Sequence, residues 1–211
     1  MTPDPAPTVH LIDDDDSLRA ALKRLLSAVG LRVHSYRSAT EFLLQRDPVI
    51  RGCLVVDVRM PGGPGGLELQ EALIRQGIGL PLIFITGHGD IPMSVRAIKA
   101  GAFDFLTKPV KGDDLLPKIR AALEIEEQEW LAAQQRRDLR QRFERLTPTE
   151  KEVFYHVIAG IPNKGIAYEL GCSERTVKAH RAQVMSKMEA NSLAELIQIS
   201  GEIPKNSRSG E

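Results

Sequence analysis

The chain has 211 residues, room for one large or two modest domains. Its 28 basic and 28 acidic side chains cancel, so no bulk cationic character marks a polyanion partner and any nucleic-acid surface must be local. Two distant cysteines, Cys53 and Cys172, exclude a secreted disulfide framework and zinc-ligand spacing, and with no signal pattern and no apolar run near the ~18 residues of a spanning helix, a soluble cytoplasmic protein is expected.

After a Pro-rich start, Thr8-Val9-His10-Leu11-Ile12 reads as a strand running into Asp13-Asp14-Asp15-Asp16. Ser17 to Ala28 carries Leu18, Ala21, Leu22, Leu25 and Leu26 at helical spacing and closes at Gly30. Leu31–Tyr36 is a second strand and Ala39–Gln45 a short helix. Gly52-Cys53-Leu54-Val55-Val56-Asp57 is a short, continuous apolar run bounded by Gly and Pro, the pattern of a central parallel strand buried on both faces. A helix from about Leu67 to Arg75, a strand over Leu80–Thr86, a helix over Met93–Lys99, a strand over Phe103–Leu106 and a long helix from Asp113 follow. Alternation at this pitch predicts five βα units and an α/β doubly wound parallel sheet of five strands, with right-handed crossovers.

Polar residues then collect at the carboxyl ends of four strands, the edge where open α/β sheets place their sites: Asp13 and Asp14, Asp57, Thr86, and Lys108-Pro109. Clustered carboxylates repel unless a cation sits among them, and hard oxygen ligands with room for water suit Mg²⁺. The bland reading of the Asp13–Asp16 run is helix capping, a task that falls to Asp16 or Ser17. A metal, a carboxylate nucleophile, a cationic clamp and a hydroxyl donor together describe phosphoryl transfer onto an aspartate.

On those residues, the segment 7–123 resembles the receiver domain of two-component response regulators, a flavodoxin-like fold. The resemblance implies that Asp57 is the phospho-acceptor, that Asp13, Asp14, Asp57 and the backbone carbonyl of Arg59 hold Mg²⁺, and that Lys108 contacts the phosphoryl group through a loop with a cis Lys108–Pro109 bond. Thr86 and Phe105 would form the switch pair, although Phe105 also reads as plain core. Arg59 and His88 sit where family members tune access of water. The loop Met60-Pro61-Gly62-Gly63-Pro64-Gly65-Gly66 is one residue longer and richer in glycine than the family's usual form.

No Gly or Pro interrupts the chain between Lys118 and Leu146, and 124–142 alternates in charge, so a solvated helix is expected as the linker. Its broken stripe of Trp130, Leu131, Leu139 and Phe143 packs either on the chain itself or on a partner helix. Thr147-Pro148-Thr149-Glu150 is a capping box with Pro at N1, opening a helix with Val153, Phe154, Val157 and Ile158 inward. Ala167 and Gly171, four apart, suit two helices crossing steeply through a tight turn, with Ile166, Leu170, Cys172 and Val177 as interior. Ser173 caps the second of them, Arg175 to about Met188, whose outward positions carry Arg175, Lys178, Arg181 and Lys187. A last amphipathic helix spans Ser192–Ile199, and 204–211 reads as a disordered tail.

Through Asn163-Lys164, Ile166-Ala167, Arg175-Thr176-Val177-Lys178 and His180-Arg181, the segment 143–203 resembles the LuxR-type helix-turn-helix of FixJ/NarL-type regulators. The resemblance implies an all-α DNA-binding domain in which Lys178, Ala179 and Ala182 face base edges while Asn163, Lys164, Thr176, Arg181 and Lys187 hold phosphates. It implies double-stranded promoter DNA, a sensor histidine kinase and RNA polymerase as partners, and a homodimer on phosphorylation. The expected protein is therefore a phosphorylation-dependent transcriptional regulator, gated by dimerisation or by release of a masked DNA-binding domain, and not an enzyme. The competing readings are a DNA binder with a scaffold receiver, a receiver acting through protein partners alone, and an aspartate-nucleophile phosphatase. The last wants an acid two residues after the nucleophile, where this chain has Arg59.

Overall fold

The computed structural model describes residues 5–87 and 91–203, with the backbone alone for 91–94. The expected disordered tail 204–211 and His88 lie outside the described residues. The chain divides into two compact units, Met1–Trp130 and Leu131–Glu211.

The first unit alternates strand and helix: β1 (Thr8–Ile12), α1 (Asp16–Ala28), β2 (Val33–Tyr36), α2 (Ala39–Gln45), β3 (Gly52–Asp57), α3 (Gly66–Arg75), β4 (Leu82–Thr86), α4 (Ile91–Lys99), β5 (Asp104–Thr107) and α5 (Gly112–Glu144). All strands are parallel, in the order β2-β1-β3-β4-β5. The strand order reverses between β1 and β3, and a crevice opens at such a switch point outside the carboxyl ends of the strands.

β3 explains why the sheet is central to the unit. Leu54 and Val56 point into one core with Phe42, Leu69 and Phe84, while Cys53 and Val55 point into a second core with Leu26, Ile83, Leu115 and Ile119. Period-2 alternation of an all-apolar strand fills both faces, one against α2 and α3, the other against α1 and α5. β5 runs one residue later than the apolar pattern indicated, Asp104–Thr107, because Phe103 serves as the approach and donates its N–H to the Leu82 carbonyl at 2.8 Å.

The second unit contains the end of α5 followed by α6 (Pro148–Ile158), α7 (Asn163–Glu169), α8 (Glu174–Met188) and α9 (Leu193–Ser200). The capping box forms: Thr147 Oγ1 accepts from the Glu150 N–H, and the Glu150 carboxylate accepts from the Thr147 N–H at 2.8 Å. Leu139 and Phe143 of α5 pack on the chain itself, Phe143 meeting Phe154 edge to face at 5.2 Å. Burying a side chain of that size stabilises by about 1.5–3 kcal/mol. Between α7 and α8 the chain turns at Gly171, whose φ of 62° is the left-handed conformation that favours glycine.

Candidate functional site

Asp57 ends β3, and Asp13 follows β1 on the neighbouring strand. Asp13, Asp14 and Asp57 each present a carboxylate oxygen within 4.8 Å of the others, with Asp13 and Asp57 buried and Asp14 exposed. Lys108, in the loop after β5, reaches back so that its ammonium lies 2.5 Å from Asp57 Oδ2 and 3.0 Å from Asp13 Oδ2. The Lys108 N–H donates to the Thr86 carbonyl at 2.7 Å, joining the ends of β4 and β5, and the Lys108–Pro109 peptide is cis. Thr86 is buried at the end of β4. The four strand ends thus meet at one crevice.

The pocket carries more negative than positive charge. Asp57 Oδ1 accepts from the Arg59 N–H at 3.0 Å, and Asp13 Oδ1 from the Asp15 N–H at 2.8 Å. Asp13 Oδ2, fully buried, accepts no hydrogen bond; the Lys108 ammonium beside it supplies attraction without hydrogen-bond geometry. Burial pushes the Asp13 carboxyl above its ordinary range, outweighing the Asp15 N–H and Lys108. Burial pulls the Lys108 ammonium down, but its hydrogen bond to Asp57 and the attraction of both carboxylates prevail and leave it raised. A buried carboxylate oxygen without a donor, within reach of two more carboxylates, is a donor set that fits a hard divalent cation.

The four consecutive aspartates divide their work. Asp13 turns into the pocket; Asp15 caps α1, accepting from the Ser17 and Leu18 N–H groups at 2.8 and 3.1 Å. The cap expected at Asp16 or Ser17 is therefore one residue earlier. Asp16 pairs with Arg19, whose other guanidinium nitrogen donates to the Asp13 carbonyl at 2.7 Å. Sequence reasoning missed Arg19; its only signal was an arginine one turn into the helix after the acidic run. Asp14 is the exposed member of the cluster.

Phe105, second in β5, is half-buried against the core that contains Phe84. Its N–H donates to Asp104 Oδ1 at 2.7 Å, and Asp104 in turn pairs with Lys118 of α5. Across the pocket, the glycine-rich loop lands at Gly66, where an added Cβ would lie 2.7 Å from the Asp57 carbonyl and 2.8 Å from the Phe84 ring. Only glycine lets α3 start so close to the end of β3.

At the opposite edge of the sheet, Arg51 and Glu126 form a buried two-pronged pair, both bonds 3.1 Å, and the Arg51 guanidinium stacks over Trp130 at 4.7 Å. The linker helix is therefore not wholly solvated: its early turns pack within the first unit.

In the second unit, Val177, Val184 and Met188 turn α8 inward, while Arg175, Thr176, Lys178, Ala179, Ala182, Gln183 and Ser186 are exposed. Ser173 caps the helix through the Thr176 N–H at 3.1 Å and shares a hydrogen bond with Thr176 Oγ1. Lys164 is exposed on α7, and Asn163 Oδ1 accepts from half-buried Arg181 at 2.9 Å, which joins α7 to α8. Lys187, expected at a phosphate, is engaged by both Glu150 oxygens at 2.9 and 2.6 Å. That bond holds the Glu150 carboxyl below its usual range.

The family profile of response regulator receiver domains matches residues 9–120, and that of luxR-family bacterial regulatory proteins matches residues 144–200. Nodulation protein W of Bradyrhizobium diazoefficiens is 47% identical over 192 residues, 91% of this chain and 84% of that protein. The transcriptional regulatory protein FixJ of Azorhizobium caulinodans is 44% identical over 191 residues, 90% of each chain. Among solved structures, the response regulator StyR superposes with a TM-score of 0.87 at 44% identity, covering 94% of this chain and all of that one. Receiver domains take their input from histidine kinases, and luxR-type helix-turn-helix domains bind DNA. With both halves and the whole-chain likeness in place, the chain belongs to the FixJ/NarL-type response regulators, two-component transcription regulators that join a receiver to a LuxR-type DNA-binding domain.

Proposed function

We propose that this regulator is switched by phosphorylation of Asp57. The convergence of Asp13, Asp14, Asp57 and Lys108 at one strand-end crevice carries the reading. An Asp57 carboxylate oxygen attacks the phosphorus of a phosphohistidine on the kinase, the P–N bond breaks as the P–O bond forms, and the imidazole leaves. Asp13, Asp14, Asp57 and the Arg59 carbonyl would hold Mg²⁺, which when bound neutralises charge on the transferring group. Lys108, already at Asp57 Oδ2, passes to a phosphoryl oxygen, and the Thr86 hydroxyl donates to another. Two or three charge-assisted hydrogen bonds at about 1.5–3 kcal/mol each match the ~5.5 kcal/mol that carries a two-state equilibrium from 1:99 to 99:1. Phe105, on the strand beside Thr86, follows that movement.

The output is promoter binding through α8, with Lys178, Ala179 and Ala182 toward base edges and Asn163, Lys164, Thr176 and Arg181 toward phosphates, in concert with RNA polymerase. Lys187 belongs with Glu150 instead. With few cations per copy, a homodimer on two half-sites supplies the affinity. DNA binding and molecular mass, measured with and without acetyl phosphate plus Mg²⁺ for wild type and Asp57→Ala, test the reading. Tighter binding and doubled mass in the wild type alone are expected. Equal binding by both proteins without the donor would make the receiver a scaffold and overturn the switch; tighter binding at unchanged mass would overturn the dimer and favour release of a masked domain.

A further inference from the structure

The exposed face of α8 is simpler than its charge count. Lys187 is paired with Glu150, and Arg181 is turned to the α7 side of the helix by its bond to Asn163. What stands exposed is Arg175 at the head of the face and, beyond it, a strip of small side chains, Ala179, Ala182 and Ser186, with Lys178 along one flank and Gln183 along the other. The five positions from Lys178 to Gln183 turn the helix by about 140° and advance it by about 7.5 Å. Base-pair steps are about 3.4 Å, so the two long polar side chains are about two steps apart on opposite sides of the helix.

Resting on the reading of α8 as the element that enters the major groove, the geometry points to Gln183 as a second base-reading residue, selecting adenine on the strand opposite the one Lys178 reads. A glutamine carboxamide matches adenine on both edges: Nε2–H donates to N7 and Oε1 accepts from the N6 amino group. Lys178, a donor only, matches guanine O6 and N7. Ala179 and Ala182 between them keep the helix close to the groove floor and set methyl groups against thymine methyls. The half-site then carries a guanine under Lys178 and, about two base pairs along on the other strand, an adenine under Gln183. Gln183 was not among the residues assigned from resemblance.

The test is selection of duplexes from a random pool by the full chain with acetyl phosphate and Mg²⁺. Titration of the best duplex and its single-base variants follows, at one salt concentration, with wild type, Lys178→Ala, Gln183→Ala and Gln183→Glu. Glutamine to alanine at an exposed helix position favours the helix, and circular dichroism checks each fold. Gln183→Ala is expected to erase a roughly tenfold preference for adenine at one position and leave the guanine preference intact. Gln183→Glu is expected to move that preference toward cytosine, whose N4 amino group a carboxylate accepts. If Gln183→Ala weakens every duplex equally, or changes none while Lys178→Ala relaxes the guanine position, Gln183 is not a reader. Wild type that prefers no duplex over another would overturn Gln183 together with the recognition-helix reading beneath it.

Discussion

In the receiver unit, Asp13, Asp57 and Lys108 share one buried pocket, whereas in the DNA-binding unit Arg175, Lys178 and Gln183 stand on an open helix face. The pocket groups perturb one another: burial raises Asp13, its partners raise Lys108, and a buried oxygen lacks a donor. Such a site is held in place by the fold, and a change at one of its groups is felt by the others. On the open face each side chain is solvated and nearly independent, so its identity can change without disturbing the helix beneath. A switch needs the first arrangement and a changing DNA preference needs the second. The charges that hold the second unit together, Glu150 with Lys187, are kept off that face.

Three experiments press on this contrast. The largest effect is expected from Arg51→Met. It strands the buried Glu126 carboxylate, which costs about 3–5 kcal/mol when a buried pair loses one partner, and Glu126→Gln beside it should restore part of the loss. Trp130, the sole tryptophan of the sequence, lies against Arg51, so urea unfolding followed by its fluorescence reads the first unit directly. A cost under 1 kcal/mol would mean that the receiver's buried charges are not interdependent.

Acid comes next. Burial holds His10 at about 4, below its ordinary 6.5, with Tyr36 and the Arg51 carbonyl beside the ring. The unfolded chain therefore takes the His10 proton first as pH falls, and His10 alone removes about 3 kcal/mol from the first unit between pH 6.5 and 4 and nothing further below that, while Asp13, raised by burial, works in the opposite direction. His10→Gln should flatten that part of the curve. In the second unit the sign is the usual one for a carboxylate: Glu150, held below 4.5 by Lys187, keeps its contribution above that pH and loses it only as pH falls through the lowered value. Unfolding at pH 7, 5.5 and 4, by Trp130 fluorescence for the first unit and by hydrogen exchange of the α6–α9 amides for the second, should show the units parting company. Parallel loss in both would break the contrast.

The smallest effect is expected from Lys187→Met. Glu150 loses a partner at about 1–3 kcal/mol to the second unit, while the salt dependence of DNA binding stays as in wild type. A slope lower by about one would return Lys187 to the phosphates.

The parts legible in the sequence were those that local rules govern. Apolar runs ending in polar residues marked β1, β3 and β4, and a parallel sheet then had to bring Asp13, Asp57, Thr86 and Lys108 to one edge. The capping box at Thr147 and the turn at Gly171 have their own short-range chemistry. Asp15 hid among identical neighbours, since four aspartates in a row offer no pattern to say which one caps. Glu150 with Lys187 and Arg51 with Glu126 join residues 37 and 75 positions apart, and no periodicity announces a pair made by tertiary packing. An outward-looking lysine and an inward-looking one read alike until the partner helix is in place.

Gly66 sets a rule for how this regulator can diversify. Because any side chain there would collide with the Asp57 carbonyl and the Phe84 ring, the point where the loop rejoins the fold is immovable. Gly65 beside it is held too, since an added Cβ would lie 2.9 Å from the Val58 carbonyl, and Gly62, at φ 82°, takes the left-handed conformation that favours glycine, so the open position of the loop is Gly63, where an added Cβ meets nothing closer than 3.8 Å. Substitutions can accumulate at Gly63 without shifting Asp57. The surface beside Asp57 can vary at that position while the aspartate itself stays where it is.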